Sequence, residues 1–360
     1  MNYNRSIRYA LLSHGLEKYD VFLYGFLMPI MSPLFFPKDS SLAMYFAFFT
    51  FASGYLIRPL GAIVFGHLGD KKGRKRAFMW TMLLVIIPTF IIACLPTYQA
   101  IGIVAPLALL SCRLLQGFCA GGEFSGAIVF VLEHAKNNHS GLTSSLVRAI
   151  GFFGVAFGTF IGSLATLEIM PNWSWRIPIL FGAAVSLFAY LMRKRMEETP
   201  EFIQLEQSRE LSKIPLIEVF KHAKKSVLCG FGIMTCSYIF LYYTTVYLGS
   251  LYKTQLAFSA SQAMTINTIL LVLWGVVNLI AGKQADRIGL KRYLRSLCYI
   301  TLLMMIPIYF YLDSNSFYHL IGLQLILTLI GASFLGPAAG LFKNLFQARY
   351  RYSGVALTCT

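Results

Sequence analysis

Gly66-His67-Leu68-Gly69-Asp70-Lys71-Lys72-Gly73-Arg74-Lys75-Arg76 lies between two long apolar runs, with five cations in the six residues 71–76. Glycines at 66 and 73 allow a tight turn between two helices that run close together. Cations flanking a membrane span hold such a loop on the cytoplasmic side. Asp70 can pair with Arg74 or cap a neighbouring helix. Outside this loop the chain is mostly hydrocarbon: 57% of its 360 residues are hydrophobic, 13% are charged and the mean hydropathy is +0.63. A bilayer core about 30 Å thick takes about 20 apolar residues per helix. Such runs recur along the whole length, which predicts an all-α polytopic membrane protein.

The net charge of +16 does not read as a nucleic-acid surface. By this topology only Lys38, Arg176 and Lys253 lie on the outer side, so the excess is orientation charge with the N-terminus inside. The seven cysteines fall in or beside apolar runs without metal-ligand spacing and read as small apolar residues. His14, His67, His134, His139, His222 and His319 scatter around the expected span ends, and none pairs with a cysteine or an acid at metal spacing. No metal and no cofactor is implied. Met1 to Leu16 lacks an apolar h-region followed by a cleavage site, so no removable signal is expected.

Spans are expected at about 14–36, 42–66, 77–95, 101–133, 145–167 and 176–192, forming an N-terminal bundle over 1–192. A polar cytoplasmic linker, 193–225, leads to a second bundle over 226–360 with spans near 226–249, 261–283, 296–312 and 318–342. Gly151, Gly154, Gly158 and Gly162 lie on one stripe of helix 5, which lets two backbones approach. The second bundle repeats the loop as Gly282-Lys283-Gln284-Ala285-Asp286-Arg287-Ile288-Gly289-Leu290-Lys291-Arg292. Asp follows the first Gly by four residues in both loops, and the next Gly follows Asp by three. The same loop after the second helix of each half predicts parallel repeats related by an axis along the membrane normal.

The order G-x-L-x-D-x-x-G-R-K resembles the loop signature of the major facilitator superfamily. Further blocks resemble its metabolite:H⁺ symporter family, which holds osmolyte (proline/betaine), α-ketoglutarate, citrate and shikimate importers. They are Leu16-Glu17-Lys18-Tyr19-Asp20, Arg58-Pro59-Leu60-Gly61, Arg113-Leu114-Leu115-Gln116-Gly117, Gly121-Gly122-Glu123 with Glu133, Trp175-Arg176-Ile177-Pro178, and Glu197-Glu198-Thr199-Pro200-Glu201-Phe202. Helix 5 lacks the Gly-Pro pair of drug antiporters, which favours symport. The resemblance implies two pseudo-repeated bundles in a bacterial inner membrane, importing a small carboxylate or zwitterion with H⁺. Against the family's twelve helices, the reading finds about ten plus the start of helix 11 at Ala348–Gly354. A chain truncated after helix 10 is therefore expected. The alternatives are a separately encoded fragment supplying helices 11 and 12, or a non-transporting remnant.

Ionisable groups inside a bilayer mark transport paths. Asp20 and Glu17 on helix 1, Glu123 on helix 4 and Arg113 are the proton-coupling candidates, because a buried carboxylate exchanges a proton near neutral pH. Arg113 and Gln116 can hold a substrate carboxylate. Tyr24, Tyr242, Tyr243, Tyr247, Trp274 and Asn278 are expected on the cavity wall, where aromatics suit an ammonium. Arg58, Gly66, Asp70, Gly73, Arg74, Glu133, Asp286 and Arg287 are expected to form a cytoplasmic gate of ion pairs, joined by Arg148 or with Arg148 snorkelling to the surface.

Overall fold

Pro59 has no amide hydrogen to donate to the helix turn before it, and helix 2 breaks there. The computed structural model describes residues 5–36, 43–135, 139–165, 169–171, 173–248, 251–252, 260–311 and 317–359. In it, helix 2 is two rods, α2 (Ala43–Leu56) and α3 (Arg58–Lys72), joined at Ile57. The remaining spans of the first half are α1 (Arg5–Phe35), α4 (Arg74–Cys94), α6 (Val104–His134), α7 (Ser140–Ala165) and α8 (Arg176–Lys194), with the single-turn α5 (Tyr98–Ile101) before α6. Two short helices, α9 (Pro200–Gln207) and α10 (Pro215–His222), occupy the linker. The second half contains α11 (Lys224–Tyr242) with a π turn at Tyr243–Tyr247, α12 (Ala260–Ile288), α13 (Leu290–Tyr311), α14 (Phe317–Ala338), the short α15 (Phe342–Leu345) and α16 (Arg351–Cys359). Among the described residues, eight helices are long and apolar enough to cross a membrane.

The turn glycines divide their work differently from the sequence expectation. Gly73 (φ +111°) and Gly289 (φ +94°) turn the chain, but Gly66 and Gly282 sit inside α3 and α12. Their role is close approach. A Cβ on Gly66 would lie 2.9 Å from Ser353 Cα, and one on Gly282 would lie 2.8 Å from Gly141 O. Helices 2 and 8 thus run on past 66 and 283, carrying both aspartates on helix. The linker also differs at its edges. Arg193, placed at its start by hydropathy, is a fully buried residue of α8, and Lys224 and Lys225 already belong to α11.

In the first half α1 packs on α7 and α8, and α4 on α6 and α8. The glycine stripe of α7 is what brings α1 in. A Cβ on Gly154 would fall 2.0 Å from Gly15 O, and one on Gly158 would fall 2.7 Å from Tyr19 O. The halves meet along two seams, α3 against α16 and α7 against α12. Each seam joins a signature-loop helix of one half to a helix of the other half. Gly154→Ala is expected to overpack the α1–α7 contact at about 1–3 kcal/mol. Thermal unfolding in detergent should show this as a lowered midpoint, whereas the same change at Gly232, which has open space around it, should not.

Candidate central cavity and closing seams

At one end of the bundle the two signature aspartates cross between the halves. Asp70, on α3, accepts hydrogen bonds from the amides of Tyr352 (3.0 Å) and Ser353 (2.8 Å), at the N-terminus of α16. Asp286, on α12, accepts from the amides of Gly141 and Leu142, both at 2.8 Å, at the N-terminus of α7. Helix N-termini leave unpaired N–H groups and a partial positive charge. Each carboxylate therefore satisfies a helix end that its own half does not contain.

Buried ion pairs surround Asp70. Arg74 contacts Asp70 (3.5 Å), pairs with Glu133 (3.1 Å) and also donates to Ala348 O. Glu133 also accepts from Arg351 (2.9 Å) and from the Thr199 hydroxyl (2.6 Å). Arg351 bonds Glu201, which Lys343 approaches to 3.3 Å. Asp70, Glu133 and Glu201 are matched by Arg74, Arg351 and Lys343, so the cluster is neutral. Glu198 accepts from the amides of Lys75 and Thr199, while burial pushes its carboxyl above the usual range. The linker thus takes part in the closure through Glu198, Thr199 and Glu201, which sequence reading had used only as a family mark. Of the expected gate residues, Gly66, Asp70, Gly73, Arg74, Glu133 and Asp286 lie at these seams. Arg287 is exposed, and Arg58 is elsewhere.

Arg58 instead lines a cavity of about 630 Å³ between the halves, together with His14, Lys18, Tyr55, Arg148 and Tyr242. Its guanidinium lies 3.9 Å from the Tyr55 ring centroid. Arg148 neither joins the gate nor snorkels. It stacks 3.6 Å from the Phe124 ring centroid and donates to the Tyr238 hydroxyl at 2.8 Å. The Nε atoms of both arginines are buried without a hydrogen-bond partner among the described residues. No carboxylate is among the described residues lining this cavity.

Behind the wall lies a second buried charge cluster. Glu123 is held by Arg193 at 2.8 Å and by the Thr81 hydroxyl at 2.7 Å, and His14 Nδ1 stands 3.6 Å away. Glu17 pairs with its neighbour Lys18 (2.9 Å). Ligand atoms of His14, Glu17 and Glu123 lie within 4.8 Å of one another. Such a set could hold a metal, but Arg193 and Lys18 already bring positive charge to both carboxylates. His14, read from sequence as a scattered span-end histidine, is therefore the partner of an acid. Its spacing to Glu17 and Lys18, three and four residues, was the available signal for one shared helix face. Arg193 was missed because a cation at a span end looks like a surface anchor.

Arg113 donates to Gln116 (2.8 Å), which in turn donates to Thr89 (2.9 Å). They face a side pocket of about 20 Å³, room for one water, that also touches Glu17 and Arg58. Tyr243 stacks on Tyr247 at 4.9 Å, and Trp274 is fully buried against Phe152. Asn278 is buried on α12 and donates to Trp274 O. None of these four is among the described residues of the cavity wall. Asp20 and Tyr24 lie on α1, but their side chains fall outside the described residues.

Residues 18–360 match the family profile described as the Major Facilitator Superfamily. The chain is 30% identical to the proline/betaine transporter of Salmonella typhimurium, over 98% of this chain and 73% of that protein. It is 32% identical to the shikimate transporter of Escherichia coli (99% and 84%) and 30% identical to the citrate-proton symporter of Klebsiella pneumoniae (95% and 78%). A double-tryptophan mutant of XylE superposes with a TM-score of 0.80 at 17% identity, covering 98% of this chain and 84% of that one, which is a likeness of fold. The expected truncation after helix 10 and the separate fragment are not borne out by these matches, nor is the count of about ten helices.

Asp70→Asn and Asp286→Asn each remove a charged acceptor from a helix N-terminus, a contact of about 1–2 kcal/mol. Each is expected to shift the halves toward separation at this end about tenfold. Distance distributions between spin labels on the two halves there would read the shift, with Asp70→Asn the larger because Arg74 loses a partner as well.

Proposed function

We propose that this chain, which belongs to the major facilitator superfamily, imports a small organic carboxylate together with protons. It is a metabolite transporter of the bacterial inner membrane and not an enzyme. The observation that carries the carboxylate reading is the cavity wall. Lys18, Arg58 and Arg148 face a space of about 630 Å³ with no carboxylate among its described lining residues, and two of them hold unused buried N–H donors. Guanidinium groups pair with carboxylates bidentately and resist loss of their charge. A zwitterion such as proline or betaine, the runner-up, places its ammonium among these cations and relies on Tyr55, Tyr238 and Tyr242 to hold it. The names of the relatives span both classes.

In this reading the signature-loop end is cytoplasmic, as its cations favour. The seams close it while the cavity faces outward. Of the carboxylates, Glu123 is neutralised by Arg193, which leaves Glu17, with Asp20 one turn along the same helix, the better able to exchange a proton with the groups around it. Arg113 and Gln116 then hold the water-sized pocket beside Glu17 rather than the substrate. Loading of proton and anion precedes separation of the crossed aspartates, and the halves rock about the loaded site.

Uptake into proteoliposomes under an inward proton gradient tests this. Radiolabelled α-ketoglutarate, citrate and shikimate are expected to accumulate, with proline and betaine left near equilibrium. Accumulation of proline or betaine alone would replace the carboxylate reading with the zwitterion one. Arg148→Gln removes a charge-assisted contact and is expected to raise KM for the accumulated anion about 10- to 100-fold.

A further inference from the structure

His14 stands between the two charge systems described above. It lines the cavity with Lys18, Arg58 and Arg148. On the other side Nδ1 lies 3.6 Å from Glu123 Oε1, inside the 4.8 Å cluster that includes Glu17. The residue is 1% exposed, and Nδ1 has no hydrogen-bond partner among the described residues. Its position is set by close packing, since a Cβ on Gly151 of α7 would fall 3.3 Å from Nε2. A buried histidine with a carboxylate behind it and a cationic, anion-sized space before it has two stable partners, but only when charged.

We infer that His14 is where the transported proton and the substrate carboxylate meet. This rests on the reading of the chain as a proton-coupled carboxylate importer. The imidazolium would be held from behind by Glu123 and Glu17 and faced by the anion in the cavity. The groups around it explain why the two must bind together. From its own helix come Glu17 and Lys18. Glu123 faces it from α6 and Arg193 approaches Glu123 from α8, while Arg58 of α3, Arg148 of α7 and Tyr238 of α11 line the same cavity. Glu17 and Glu123 are already balanced by Lys18 and Arg193. In the empty cavity a proton on His14 adds a cation to a wall that already holds Lys18, Arg58 and Arg148, and like charges disfavour it. A dicarboxylate cancels that repulsion, so the anion raises proton affinity, and by reciprocity the proton raises anion affinity by the same factor. Releasing either one at the inner side loosens the other.

Binding of radiolabelled α-ketoglutarate to the full chain in detergent, from pH 6 to 8, gives the test. Both of its carboxyls are ionised across that range by ordinary carboxylate values, so any pH dependence belongs to the protein. The wild-type chain is expected to lose affinity as pH rises, approaching about tenfold per pH unit for one linked proton. His14→Asn keeps a nitrogen donor near the place of Nδ1 but does not titrate. It is expected to flatten that slope and to abolish gradient-driven accumulation. A His14→Asn chain with the wild-type slope overturns the inference. If that variant is not monodisperse, His14→Gln is used with the same two outcomes. The wild-type chain adds a reading that needs no substitution: α-ketoglutarate added in unbuffered detergent at pH 7 should take up protons, and absence of uptake overturns the inference. The broader reading fails separately, by a wild-type chain that binds the anion with no accumulation under a proton gradient.

Discussion

A carboxylate that caps a helix in the opposite half is the contact on which the closed end depends. Asp70 and Asp286 do this in mirror fashion, each serving two amides at hydrogen-bonding distance. The helix ends they cap are satisfied in this way only while the halves touch. The glycines one turn earlier, Gly66 and Gly282, remove the side chains that would otherwise hold the backbones apart. Charge and the absence of bulk therefore work at the same place.

The two seams are related but unequal. Arg74 follows Gly73 in the first loop and pairs with Glu133. Leu290 takes the equivalent place after Gly289 in the second loop, so no counterpart pair forms there. The first seam has recruited Arg351, Lys343, Thr199 and Glu201 into one charge-paired network, buried at Arg74 and Glu133 and partly exposed at Lys343 and Glu201. Charges taken out of water are tolerable only when matched and hydrogen-bonded, and removing one member costs about 3–5 kcal/mol. The linker thus contributes side chains to this seam rather than only joining the halves.

Much of this was legible in the amino-acid order. Loop signatures, their repeat and the interhelical glycines are local patterns, and the structure places Asp70, Arg74, Glu133 and Asp286 at the closed end. What hydropathy does not carry is azimuth and depth. Cations near span ends look alike, so Arg58 reads as a gate residue and Arg148 as either a gate residue or a surface anchor, yet both line the cavity. Trp274 and Tyr243 were assigned to the wall because aromatics in spans look alike, yet they pack between helices. His14 and Arg193 acquire meaning only from Glu123, which is distant in sequence from both.

Turning about Ile57, where α2 passes into α3, α3 would act as a lever. Arg58, which faces the cavity, sits at its pivot end, and Asp70 is twelve residues along, about 18 Å at the rise of an α-helix. A tilt of about 10° at the pivot sweeps the far end through about 3 Å, comparable to a hydrogen-bond length. A small rotation at the Arg58 end is thus enough, by arm length alone, to pull Asp70 off the amides it holds.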